Sequence, residues 1–245
     1  MRQRGGFGGL RGRHGRPQTG PRSYTGSLAG SGHLLREAAT TSAVRLSRHD
    51  VLAAHLWQRT TRAWDSTGES LSYVSGYDYR RIHAGLSPHY VGNAVRNVTL
   101  RLGREEVLGA PLGRLAEHIR RATESMSEPR ARESLRCLAE IRRVYGLAAF
   151  ARMHAVDPRA GFLVTNMSRV PLDALDCGSG PPEQLVPLTP GLRSAFVSAA
   201  RDGVLVRLPA ADSKRSEGSL GELAGPAATA ASLSGVSSLA LARGR

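Results

Sequence analysis

Lysine is almost missing from this sequence, and cysteine is scarce. Lys214 is the one lysine among 34 basic residues, and Cys137 and Cys177 lie far apart with no C-x-x-C pair. This cysteine usage suits neither a disulfide framework nor a zinc site, so we expect a reducing compartment, the cytoplasm. The bias towards arginine indicates GC-rich coding more than selection for cationic chemistry.

Long apolar runs are absent too. No run of about 18 apolar residues, the length that a membrane-spanning helix needs, occurs in the chain. The most apolar stretch, 224–242, is interrupted by Ser, Thr and Gly. The first 30 residues contain Arg and Gly but lack the apolar segment of a secretory signal. We therefore expect a soluble chain without a membrane partner.

The sequence lacks the motifs of several large enzyme classes. It contains no G-x-S-x-G, no P-loop and no G-x-G-x-x-G, because Arg11 stands where the last glycine of that motif would be. Its histidines and carboxylates do not show metal-ligand spacing. We expect no metal and no tightly bound cofactor.

The two ends of the chain differ in composition from the middle. Residues 1–44 are rich in Gly, Arg and Ser, carry seven Arg against one acidic residue, and show no sustained periodicity. Residues 210–245 are rich in Ala, Ser, Gly and Leu and also lack a packing pattern. This composition predicts two disordered tails around one folded domain at 45–209.

Helical and strand patterns are mixed within residues 45–209. Ser47 and Asp50 have the spacing of a capping box at the start of a helix. Predicted helices lie at about 47–64, 112–126 and from Pro129 onwards, and predicted strands at 71–79, 98–102, 162–164 and, as a hairpin around Asp202-Gly203, 195–197 and 204–206. This mixture predicts an α/β fold, a mixed sheet with packed helices.

Four segments of this region resemble, in the same order, the motifs of the BAHD-type acyl-CoA-dependent acyltransferases. They are Ser47–Trp57 (SRHDVLAAHLW), Asp78–Arg80 with Leu86–Asn93 (DYR and LSPHYVGN), Leu112–Ile119, and Thr165–Pro171 with Asp176–Pro181 (TNMSRVP and DCGSGP). The second segment resembles the family's DxR and P-x-Y-x-G-N stretch, and the fourth its TSW-x-R-x-P and DFGWG-x-P stretch. Their order and spacing make the region similar to the C-terminal half of such an enzyme.

The resemblance implies a chloramphenicol-acetyltransferase-like domain that forms one wall of a tunnel for acyl-CoA and acceptor. It implies that Thr165 contacts the tetrahedral intermediate, whereas Met167 replaces a tryptophan donor of the family and has no polar hydrogen. It also implies an ion pair between Arg80 and Asp176, although a carboxylate in a Gly-rich turn explains Asp176 without the family. The other motif positions are Tyr90, Gly92, Asn93, Cys177, Gly178, Ser179 and Gly180, of which Cys177 and Ser179 replace aromatic residues of the family.

The family's general base is missing from this sequence. The reaction needs a group that takes a proton from the acceptor, and in the family this is the His of an HxxxD motif in the first domain. None of the eight histidines here is followed four positions later by Asp, and His33 with Glu37 comes nearest. We therefore expect no catalytic residue in this chain. We expect little or no activity unless a separate N-terminal acyltransferase domain supplies the histidine.

One arginine is a candidate for binding the acceptor. In the hydroxycinnamoyl-transferring branch of the family, an Arg thirteen positions before the motif Thr meets the carboxylate of shikimate or quinate. Counting back from Thr165 gives Arg152. A guanidinium binds a carboxylate through two directional hydrogen bonds, which suits this role. The alternative is a solvated surface arginine in an Arg-rich chain.

The sequence thus predicts transfer of an acyl group from acyl-CoA, as co-substrate, to an alcohol or amine acceptor, by a chain that holds half of the site. Two alternatives stay open. The chain is a remnant or truncated product that keeps the fold without the reaction, or it binds RNA through its Arg/Gly-rich tail. Two RGG-like steps and Phe7 support RNA binding, which is too little to prefer nucleic acid as the partner.

Overall fold

The computed structural model describes residues 23–29, 32–64, 68–151, 160–170, 174–176, 178–180, 193–200 and 203–209. Their strands are β1 (Ser23–Ala29), β2 (Ser70–Asp78), β3 (Val95–Gly103), β4 (Gly161–Met167), β5 (Ser194–Ala200) and β6 (Gly203–Pro209). Their helices are α1 (Gly32–Ala39), α2 (Arg48–Ala63), α3 (Arg104–Gly109), α4 (Leu112–Glu124) and α5 (Glu128–Ala151), with a 3₁₀ turn at Tyr79–Arg81.

The strands of the described residues form one mixed sheet in the order β1-β6-β5-β4-β2-β3. The central strands β2, β4 and β5 are parallel, and the pairs β2–β3, β5–β6 and β6–β1 are antiparallel. Parallel neighbours need a long crossover, and the one from β2 to β4 runs through β3 and three helices. The predicted α/β fold with a mixed sheet is confirmed, as are the predicted strands at 71–79, 98–102 and 162–164.

The core lies between one face of the sheet and the helices α1 to α4. Alternate residues of β2, β4 and β5 point into it, so the inner face carries Leu71 and Tyr73 of β2, Phe162 and Val164 of β4, and Ala195 and Val197 of β5, all buried. Buried residues of all four helices belong to the same cluster. We call the opposite side of the sheet the outer face.

The helix α2 begins at the capping box that the sequence predicts. The Ser47 hydroxyl accepts from the Asp50 N–H at 3.3 Å, and the Asp50 carboxylate accepts from the Ser47 N–H at 2.7 Å. The same helix buries Trp57 against Tyr73 of the inner face, with ring centroids 5.6 Å apart. A local signal thus fixes where α2 begins, and its apolar side chains pack against the sheet.

The folded unit begins earlier than the sequence predicts. β1 pairs with β6 from Ser23↔Pro209 to Ala29↔Gly203, and α1 buries Leu34 and Ala38 in the core. The prediction of a disordered segment at 1–44 is therefore wrong for its second half. These elements are too short to show a period on their own, and partners distant in the sequence stabilise them. Residues 1–22 and the predicted tail at 210–245 lie outside the described residues.

α5 is the least buried of the described helices. Ala131 is buried, Leu135, Leu138 and Ile141 are half-buried, and Tyr145 is 69% exposed. Gly146 has φ 78° and ψ 171°, which interrupts the helical conformation near its end. None of the described helices, this longest one included, is both long and apolar enough to cross a membrane.

Candidate functional site

Thr165 and Met167 lie at the carboxyl end of β4, on the outer face of the sheet. Val164 is buried against the helices, and side chains alternate along a strand, so its neighbour Thr165 points the other way. Both residues are half-buried, and their ladder partners on β5 are Phe196 and Ser198. The Thr165 hydroxyl can therefore donate a hydrogen bond at this face, whereas Met167 contributes apolar surface without a donor.

Arg207 is a charged residue of the outer face that the sequence analysis did not single out. It continues the row that begins at Thr165, because Thr165 pairs with Phe196 and Phe196 pairs with Arg207. Its side chain is buried, and burial lowers the pKa of the guanidinium. Arg207 directly follows the predicted strand at 204–206, and continuing its alternation by one residue places Arg207 on the same face as Leu205.

Arg80 organises the loop between β2 and β3. Its guanidinium contacts the Asp78 carboxylate at 2.9 Å and donates to the backbone carbonyls of Tyr90 at 3.1 Å and Gly92 at 2.6 Å. The guanidinium carbon also lies 5.9 Å from the centroid of the Tyr90 ring. Asn93 ends the loop by accepting from the Val95 N–H at 3.1 Å. The structure thus brings four of the predicted motif residues together in one loop.

The predicted ion pair between Arg80 and Asp176 is wrong. Asp176 instead accepts from the backbone N–H groups of Gly178 at 2.7 Å and Gly180 at 3.0 Å. Both glycines have positive φ, 94° and 90°, which a residue with a side chain rarely adopts. The carboxylate therefore shapes its own Gly-rich turn, and Asp78, two residues from Arg80, supplies the nearer charge partner. Ser179 is exposed in the same turn.

Two of the predicted site residues, Arg152 and Cys177, lie outside the described residues. Their implied roles, contact with an acceptor carboxylate and part of the family's DFGWG stretch, stay predictions. Within the part of the chain that the structure describes, no three His, Cys, Asp or Glu side chains lie together as a metal site would require.

His49 of α2 reaches the end of β4 from the inner side of the sheet. Its Nδ1 lies 3.1 Å from Nδ2 of Asn166, and its Nε2 lies 3.3 Å from the Tyr73 hydroxyl. Burial lowers the pKa of His49, the nearby Asp50 carboxylate raises it, and Arg169 lowers it further. Sequence analysis did not connect these residues, because 117 positions separate His49 from Asn166.

Among solved structures, three examples share this fold. F. graminearum TRI101 complexed with coenzyme A and deoxynivalenol has a TM-score of 0.58 and 20% identity, with 78% of this chain and 44% of that chain covered. For F. sporotrichioides TRI101 complexed with coenzyme A and T-2 the values are 0.59, 20%, 79% and 48%. For vinorine synthase they are 0.57, 17%, 84% and 46%. Such identities show the fold, and the chain spans less than half the length of each of these proteins.

The family follows from the sequence match and agrees with the fold. No protein of curated function matches the sequence. The sequence model of the Transferase family, however, matches residues 30–205, which is most of the chain. The fold is the chloramphenicol-acetyltransferase-like α/β fold that these structures share, as the motifs implied. This chain therefore belongs to the Transferase family, the BAHD-type family whose motifs its four segments resemble.

Proposed function

We propose that this chain takes part in transfer of an acyl group from acyl-CoA to the hydroxyl or amine of a small acceptor. The observation that carries the proposal is the family match over residues 30–205. Coenzyme A is the ligand named for two of the solved structures that share the fold, which supports acyl-CoA as the co-substrate. The outer face at the end of β4, with Thr165, is the surface on which we place the reaction.

The proposed chemistry is an addition and elimination at the thioester. A general base removes the proton of the acceptor, whose oxygen or nitrogen then attacks the carbonyl carbon of the acyl-CoA. The carbonyl oxygen becomes an oxyanion, which the Thr165 hydroxyl stabilises by donating a hydrogen bond. Collapse of the intermediate breaks the C–S bond, and the thiolate of coenzyme A leaves and takes up the proton. Met167 contributes no second donor.

The proposed base comes from a separate domain that carries the HxxxD motif. The chain contains no HxxxD, and it spans less than half of each solved relative. Four of its histidines, His33, His49, His55 and His118, belong to helices α1, α2 and α4, which cover the inner face. The sheet therefore lies between these side chains and Thr165. This placement argues against these four histidines as the base.

Release of free thiol tests this proposal. The purified chain is incubated with several acyl-CoAs and with shikimate, quinate or simple amines, alone and together with a supplied HxxxD-bearing domain. We expect no release above background from the chain alone, because a general base contributes roughly 10²–10⁴-fold and positioning of both reactants is lost as well. Rapid turnover by the chain alone would contradict the missing base and point to one of its own histidines.

A threonine pair provides the matched control for Thr165. In the two-domain mixture, Thr165→Val should lower turnover roughly 10²- to 10³-fold, the effect of one oxyanion donor. Thr99→Val makes the same change on the exposed edge strand β3 and should leave turnover unchanged. Equal rates for both variants would remove Thr165 from the mechanism, and no turnover in any mixture would favour a remnant that keeps only the fold.

A finer assignment concerns the acceptor. Arg152 stands where the shikimate- and quinate-using branch has its carboxylate-binding arginine, so we propose an acceptor that carries a carboxylate. Arg152→Ala should raise the KM for shikimate or quinate while the KM for an uncharged alcohol stays constant. An equal effect on both acceptors would identify Arg152 as a surface residue without a part in specificity. A cytoplasmic location likewise stays a proposal that rests on the cysteine usage.

A further inference from the structure

A continuous row of hydrogen bonds connects α2 with the carboxyl end of β4. The Ser168 N–H donates to Oδ1 of Asn166 at 3.0 Å. Nδ2 of Asn166 lies 3.1 Å from Nδ1 of His49, and Nε2 of His49 lies 3.3 Å from the Tyr73 hydroxyl. Asn166 lies between Thr165 and Met167 in the strand. The row therefore holds this strand segment from the inner side, while the side chains of Thr165 and Met167 lie on the outer face.

The partners in this row determine the protonation of His49. The Ser168 N–H occupies Oδ1 of Asn166, so the NH₂ group of the amide faces the imidazole. An NH₂ group only donates, and Nδ1 of His49 must therefore be an unprotonated acceptor. The ring proton then resides on Nε2 and is donated to the Tyr73 oxygen. Both ring nitrogens have a partner in this tautomer, and the doubly protonated ring would direct Nδ1–H against the amide hydrogens.

The charged groups around the ring are compatible with the neutral form. Asp50, the adjacent carboxylate on α2, is already engaged by the Ser47 N–H at 2.7 Å, and Arg120 of α4 lies 3.7 Å from it. Arg169, in the turn after β4, acts against a positive charge on the ring. Tyr73 of β2 stays neutral, because burial raises the pKa of its hydroxyl. Asp50 is the anion among these groups, and burial of the ring outweighs its effect on the pKa of His49.

We propose that His49, as the neutral Nε2–H tautomer, is a positioning residue that holds the carboxyl end of β4 through Asn166. By fixing Asn166, the ring sets the start of the turn at residues 168–170 and the orientation of Thr165 and Met167 on the outer face. The consequence for catalysis rests on the proposed function. The consequence for the strand end does not, since it concerns hydrogen bonds within this chain alone.

Nitrogen-15 NMR of the full chain tests the protonation state directly. At pH 7 the His49 resonances should show a protonated Nε2 and an unprotonated Nδ1. In Asn166→Asp the carboxylate would accept from the ring, so His49 should become doubly protonated at the same pH. A protonated Nδ1 in the unaltered chain, or no change in Asn166→Asp, would overturn the proposal.

Hydrogen exchange of the Ser168 amide tests the positioning. His49→Phe keeps a ring without nitrogen atoms and should accelerate this exchange roughly 5- to 10-fold, the factor corresponding to the net effect of one hydrogen bond. His49→Gln supplies one acceptor and one donor and should restore much of the protection. His118→Gln, on the exposed side of α4, is the control and should change nothing. Unchanged Ser168 exchange in His49→Phe would overturn the proposal.

These readouts also separate the positioning role from the proposed reaction. Neither NMR nor hydrogen exchange requires an acyl donor, so both stay interpretable if no mixture transfers an acyl group. Where transfer is observed, His49→Phe should lower kcat and change the KM for acyl-CoA by a smaller factor. His49→Gln should recover part of kcat. A normal kcat in His49→Phe together with accelerated Ser168 exchange would reject the link to catalysis.

Discussion

At the residue scale, Arg80 and Asp176 show how the same two side chains can serve a motif without touching. Arg80 is held by a carboxylate two positions away and by two backbone carbonyls of its own loop. Asp176 is held by two N–H groups of its own turn. Each residue thus stabilises one loop locally, and the two loops need no contact with each other.

Double-mutant cycles distinguish these two pairings. The cycle of Arg80→Ala with Asp78→Ala should give a coupling of about 0.5 kcal/mol in the free energy of unfolding, because the Asp78 side chain is half exposed and surface pairs are weak. The cycle of Arg80→Ala with Asp176→Ala should give a coupling near zero. Urea unfolding of the single and double variants measures both. A coupling above about 1 kcal/mol in the second cycle would restore the ion pair that the motifs implied.

The buried histidines make stability depend on pH. Burial lowers the pKa of His55 to about 4, with smaller contributions from Arg59, His33 and Arg62, and burial lowers that of His49 as well. Between about pH 4 and the unfolded value near 6.5, the unfolded chain binds more protons than the folded chain, so stability falls as the pH falls. From pH 7 to pH 5, His55 alone should lower the free energy of unfolding by about 2 kcal/mol.

The corresponding measurement is urea unfolding at pH 7 and pH 5. His55→Gln should remove most of the His55 contribution, whereas Thr99→Val, which changes a side chain without a titratable group on the exposed strand β3, should leave the pH dependence intact. Equal stability at both pH values would contradict the lowered pKa values of these histidines.

At the element scale, the contact between α1 and α4 depends on a glycine. A Cβ on Gly113 would lie 2.1 Å from the Ala38 carbonyl oxygen and 2.4 Å from Oγ1 of Thr41. The Gly113 N–H also donates to the same Thr41 oxygen at 3.2 Å. The end of α1 thus packs directly against the backbone of α4, and this contact helps to hold α1 in the folded unit.

Alanine substitutions at two glycines test this contact. Gly113→Ala should destabilise the chain by roughly 1–3 kcal/mol, because overlap with backbone atoms outweighs the gain of up to about 1 kcal/mol in helix propensity. Gly109→Ala, at the end of α3 with open space around its Cβ, should be neutral or slightly stabilising. Thermal unfolding of both variants provides the comparison, and a stabilising Gly113→Ala would mean that α1 is not packed on α4.

At the scale of the whole molecule, β1 completes the sheet beside β6. A variant that begins at Ser23 keeps this strand, and we expect it to match the full chain in Tm, since residues 1–22 carry no apolar pattern. A variant that begins at Gly32 loses the strand and exposes the edge of β6, so its Tm should fall and its tendency to aggregate should rise. Equal Tm values for the two variants would show that β1 contributes nothing to stability.

The sequence by itself determined the elements whose signals are local. The capping box at Ser47 and Asp50, the apolar stripe of α4, the alternation in β3 and the strand-forming segments of β2 and β4 each depend on residues a few positions apart. Steric and hydrogen-bonding rules act over that range, which is why these elements and the α/β class could be predicted. The order of the four motif segments also carried the family.

Tertiary structure decided the rest, because the deciding partners are distant in sequence. β1 and α1 are short elements that β6 and α4 stabilise, and their own residues show no periodic pattern from which they could be predicted. The pairing of His49 with Asn166 spans 117 positions, and the row from Thr165 to Arg207 exists only through strand register. The partners of Arg80 and Asp176 were predicted wrongly for the converse reason. Each charged side chain is bound by groups close to it in the chain instead of by the distant charge. Which partner binds it depends on three-dimensional geometry, which a sequence motif does not contain.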